Sequence, residues 1–68
     1  MKVYLTSGRC NPPLTHVIFC NTMCYFENKR EIRMYDNKGK VIASAIIDEW
    51  KEVKYINNNN EEHYIKRA

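Results

Sequence analysis

With 68 residues, 44% of them hydrophobic and 28% charged, the chain has the composition of a folded domain. At this length folding hides only about 60% of the unfolded surface, so the core is thin and a many-residue catalytic cleft is not expected. No apolar run approaches the ~20 residues that span a bilayer, which excludes a membrane-spanning helix. The net charge of +3 is spread unevenly, with Lys2 and Arg9 alone in residues 1–26, five bases against three acids in 27–40, and four against five in 41–68. Such a mild excess permits contact with phosphate or an acidic partner but lacks the density of a dedicated basic footprint.

Residues 1–68 are expected to form one domain. The first residues carry no apolar h-region and no small-residue cleavage site, so they do not read as a signal peptide. Lys2 to Thr6 alternates Lys, Tyr and Thr with Val and Leu, the period of a half-buried strand, and Ser7-Gly8 ends it. Asn11-Pro12-Pro13 then marks a connection, because proline fixes φ and removes a backbone donor. From His16 to Phe26 the helical template fails at Asn21, while the β-branched and aromatic residues Val17, Ile18, Phe19, Tyr25 and Phe26 favour a strand with a bend near Asn21-Thr22.

The clearest local signal is the hairpin from Glu31 to Ala43. Asp36 and Asn37 favour a type I turn, and Gly39 stands where a short loop needs a left-handed residue. Glu27 to Arg30 reads as the turn before it, giving a three-strand meander. Asp48-Glu49 break the next run, and Lys51 to Ile56 alternates again. Asn57 to Asn60 form a loop. The last eight residues stay open between a short helix capped by Asn60, with Lys66 and Arg67 in its last turn, and an edge strand through Tyr64-Ile65, to which the balance tips. The expected fold is all-β: five or six strands in an antiparallel meander, strongly curved or closed as a small barrel of SH3-like or OB-like size. Its expected core is Val3, Leu5, Val17, Phe19, Ile32, Met34, Val41, Ala43, Ala45 and Val53.

Cys10, His16, Cys20 and Cys24 supply the residue types of a Cys₃His zinc site. Spacing argues against it. Four residues of strand separate neighbouring ligands by about 13 Å, and Cys10 reaches His16 only across two prolines. Three cysteines without an export signal read as reduced, buried thiols in the cytoplasm, so neither metal nor other cofactor is expected. His16 and Cys20 are too far apart on a strand to act as base and nucleophile. The sequence contains no phosphate-loop, dinucleotide, zinc-protease or nucleophile-elbow motif, so no enzymatic activity is expected.

Two binding readings follow. In Val41 to Ile47 both faces are apolar: Val41, Ala43, Ala45 and Ile47 point one way, Ile42 and Ile46 flank Ser44 on the other. A thin sheet covers only one face. Ile42 and Ile46, with Trp50 and Tyr55, are therefore expected to form an exposed patch for a protein partner or a second copy, unless Tyr64 and Ile65 fold back over it. Short, motif-free chains rich in Ile, Lys and Asn look like the accessory proteins of phages and mobile elements that modulate a host machine. The alternative reading is single-stranded nucleic acid on Lys2, Tyr4, Arg30, Arg33, Tyr35, Lys38 and Lys40, with rings stacking on bases and cations on phosphates.

Overall fold

The computed structural model describes residues 1–9 and 11–65. Among them are seven strands: β1 (Lys2–Thr6), β2 (Thr15–Phe19), β3 (Thr22–Phe26), β4 (Glu31–Tyr35), β5 (Val41–Ile46), β6 (Glu52–Ile56) and β7 (Glu62–Ile65), with 3₁₀ turns at Glu27–Lys29 and Ile47–Glu49. The chain is all-β. The strands form two antiparallel sheets, β2-β1-β6-β7 and β3-β4-β5. The sheets are not closed into a barrel, which corrects the expectation of a barrel and of five or six strands.

The extra strand arises where His16 to Phe26 was read as one. Met1 precedes β1 of the larger sheet and Tyr35 ends β4 of the smaller, and the chain moves between the two sheets at Cys20-Asn21. The Cys20 amide donates to the Met1 carbonyl at 3.0 Å, and the Asn21 amide to the Tyr35 carbonyl at 2.8 Å. The expected bend is thus a change of sheet. The expected β3-β4-β5 meander is present, and its hairpin closes as the turn residues dictate: Asp36 Oδ1 accepts the Lys38 and Lys40 amides at 2.9 Å each, and Gly39 has φ +82°. The register shifts opposite Met34/Tyr35, so the ladder carries a bulge near Val41-Ile42.

The open reading of the C-terminus resolves as strand over Glu62–Ile65. Asn57 Oδ1 accepts the Asn59 and Glu61 amides at 3.0 and 2.9 Å, and Asn60 takes φ +65°, so these asparagines build a turn rather than a helix cap. Cys10, Lys66 and Arg67, invoked in the sequence reading, lie outside the described residues.

One core joins the inner faces of the two sheets. Val3, Leu5 and Val53 come from the larger sheet and Ile32, Met34 and Ala45 from the smaller, with Ile47 at the second 3₁₀ turn completing it. Burying each large side chain contributes about 1.5–3 kcal/mol. Three expected core residues, Val17, Phe19 and Val41, are instead exposed. Opposite residues of a ladder share a face, and Ile18 is the residue opposite Val3, so Ile18 turns inward and its neighbours Val17 and Phe19 turn out. Val41 lies beside the bulge, where alternation is broken.

Candidate contact surfaces

The register fixes which side chains share the outer face of β3-β4-β5. Phe26, Glu31 and Ile46 form one row, Cys24, Arg33 and Ser44 the next, and Thr22 and Tyr35 the third, with Ile42 beyond Ser44 on β5. Ile42 is 47% exposed and Ile46 36%. At the centre, Arg33 is held by two neighbours: its guanidinium carbon lies 4.5 Å from the Phe26 ring centroid, and Nε and Nη2 reach Glu31 Oε1 at 3.3 and 3.2 Å. Glu31 holds the guanidinium pKa above its ordinary value, first through this hydrogen bond and then by charge.

Of the four residues expected in the apolar patch, Ile42 and Ile46 do stand together on this face, whereas Trp50 and Tyr55 are half-buried and pack against the core. Tyr55 pairs with Val3 and so belongs to the inner face, stacked on His63 with centroids 5.1 Å apart. Trp50 meets His16 edge-on at 5.6 Å. The C-terminal strand does not cover Ile42 and Ile46, since Ile65 packs on the core and Tyr64 points outward, 57% exposed.

The residues of the nucleic-acid reading fall in separate places. Arg30 adopts a left-handed backbone at φ 51°, and its side chain clamps the two 3₁₀ turns together: Nε and Nη2 donate to Asp48 at 3.3 and 3.1 Å, and Nη1 to the Tyr25 hydroxyl at 2.7 Å. Arg33 and Tyr35 lie on the outer face of the smaller sheet, and Lys38 and Lys40 are exposed in the hairpin loop.

Lys2 and Tyr4 lie on the outer face of β2-β1-β6-β7, where the register adds residues that the sequence reading missed. Phe19, Lys2, Ile56 and Glu62 form one row; Val17, Tyr4, Lys54 and Tyr64 form the next. The Lys54 ammonium lies 4.9 Å from the Tyr4 ring centroid and 5.8 Å from that of Tyr64, and 3.6 Å from Glu62 Oε1, while Lys2 lies 5.7 Å from Phe19. The alternation of Lys54 with Val53 was visible; its juxtaposition with Tyr4 depends on pairing the first strand with the sixth, for which no local signal exists.

Cys20 is half-buried, and desolvation raises its thiol pKa, opposed by the nearby N-terminal charge. Cys24 is exposed on the outer face of β3. Among the described residues, no three His, Cys, Asp or Glu side chains gather closely enough to hold a metal ion, and no helix is long and apolar enough to cross a membrane. Compared with known proteins, the chain matches no family model, no curated protein and no solved structure.

Proposed function

We propose that the chain is a small, non-enzymatic, cytoplasmic contact module that occupies a surface on a larger protein or on its own copy, in the manner of the accessory proteins of phages and mobile elements. The observation that carries this reading is the outer face of β3-β4-β5, where Ile42 and Ile46 flank Ser44 and stay exposed. Branched aliphatic side chains around a small central residue offer a shallow seat for apolar groups, and such exposed faces mark interfaces. Ile46→Lys tests it. The variant is expected to keep the wild-type melting temperature, because Ile46 lies outside the core, and to lose capture of a partner that the wild-type chain retains. Equal capture by both chains sinks the proposal.

A second reading, single-stranded nucleic acid, is favoured by one observation: Tyr4, Phe19 and Tyr64 share the outer face of the larger sheet with Lys2 and Lys54. Rings of this kind stack on bases and ammonium groups meet phosphates. Against it, Glu62 and Glu52 share the face and dilute its charge. On this reading, a labelled single strand binds in a salt-dependent way and Tyr4→Ala weakens it; absence of binding at low salt removes it.

A further inference from the structure

Of the sheet edges, β2, β3 and β5 carry no Lys, Arg, Asp or Glu within the strand, and β5 differs from the other two in having charges of opposite sign at its two ends. The strand Val41–Ile46 carries no charge and pairs on one side only, with β4. Three of the chain's exposed large hydrophobic residues, Val41, Ile42 and Ile46, belong to it. Uncharged edges of this kind are templates for another strand, and proteins that must avoid pairing place lysine, proline or inward charge there. Here the charges stand at the ends. Lys38 and Lys40 precede the strand and Asp48 and Glu49 follow it, all four exposed, with Asp48 already paired to Arg30 of its own chain so that Glu49 carries the uncompensated acidic charge. By contrast, β3, the other edge of the same sheet, has the uncharged Cys20-Asn21 before it, and β7 carries Glu62 within it.

We infer that a second copy of this chain pairs through β5, antiparallel to the first across a two-fold axis, so that two three-stranded sheets become one of double width. This rests on the contact-module reading and names its partner. Antiparallel self-pairing sets the basic end of each strand beside the acidic end of its mate, giving attraction at both ends. The same operation relates both halves, as a two-fold interface requires.

The backbone restricts the register. The Ile47 amide donates to the Arg30 carbonyl at 2.8 Å, so alternation directs the polar groups of Ala45 and Ala43 toward β4 and those of Ile46 and Ser44 toward the open edge. Opposed residues must also share a face. Several two-fold registers meet both conditions, and the one in which Ser44 faces Ser44 of the second copy keeps the bulge out of the middle of the ladder. Ile42 then lies opposite Ile46 on the outer face and Ala43 opposite Ala45 on the inner, with Lys40 beside the acidic pair. The bulge near Val41-Ile42 lies at the end of this ladder and leaves Ser44 and Ile46 in regular strand.

Sedimentation equilibrium of the full chain, combined with hydrogen exchange, tests the inference. The expected result is a dimer whose dissociation constant rises about ten-fold in Lys38→Glu/Lys40→Glu and recovers when that variant is mixed with Glu49→Lys. The amides of Ser44 and Ile46 are expected to exchange slowly in the dimer and rapidly on dilution. Ser44→Pro removes an amide that β4 does not use and is expected to give a folded monomer; if the proline unfolds the chain, the wild-type exchange pattern still decides. A monomer at all concentrations, or fast exchange at Ser44 and Ile46 within a dimer, overturns edge pairing. Neither result touches the capture experiment with Ile46→Lys, which judges the contact-module reading by itself.

Discussion

Gly39 and Arg30 both hold left-handed backbone, for different reasons. At Gly39, with φ +82°, a Cβ would meet nothing within 4 Å, so substitution there is penalised by backbone strain alone. Gly39→Val is expected to destabilise the fold by about 1–2 kcal/mol, the cost of forcing an L-residue into that region, and Gly39→Asn by less. Denaturant midpoints of the two variants check the order; an unchanged midpoint for valine would remove the assigned turn. Arg30 bears the same strain at φ 51° but is tied to Asp48 and Tyr25 by its side chain, so the residue that bends the chain also fastens the bend. Gly39 was legible in the sequence because its turn chemistry is local. Arg30 was not, since its partner Asp48 lies eighteen residues away, and it read instead as a cation available to phosphate.

At the level of elements, the end of β5 separates two isoleucines of similar chemistry. Ile47 is fully buried where the strand passes into its 3₁₀ turn, whereas Ile42 faces outward. Ile47→Ala is therefore expected to cost about 2–5 kcal/mol, and Ile42→Ala to stay within about 0.5 kcal/mol in the monomer. Urea melts at low protein concentration provide the comparison, and equal losses would place Ile42 in the core. The inward residues Val3, Leu5, Ile32, Met34 and Val53 are legible because β1, β4 and β6 each have a clean period of two, while Ala45 follows from the hairpin that pairs β5 with β4. Val17-Ile18-Phe19 has no polar member to set its phase, and only pairing with β1 decides that Ile18 enters. The break between β2 and β3 was visible as a bend, but its meaning as a sheet change depends on hydrogen bonds to residues distant in sequence. Of the candidate patch, Ile42 and Ile46 followed from alternation within one strand, while Trp50 and Tyr55 were misplaced because they lie across a turn whose direction alternation does not encode.

Across the whole molecule, the two sheets contribute to one core, so neither can lose its packing while the other keeps it. Leu5→Ala in the larger sheet and Ile32→Ala in the smaller are each expected to lower the Trp50 fluorescence transition and the far-UV circular dichroism transition together. Separated transitions would show the sheets melting independently. The order of strands adds a consequence for synthesis. Of the seven strands β1 is made before the others, yet it is an interior strand, flanked by β2 and by β6. The β3-β4-β5 meander closes through neighbours in sequence, which is fast, whereas joining β1 to β6 closes the long stretch between Thr6 and Glu52, which is slow. A nascent chain that has not yet released Glu52 to Ile56 therefore lacks Val53 from its core and carries a β1 edge still open to whatever strand it meets.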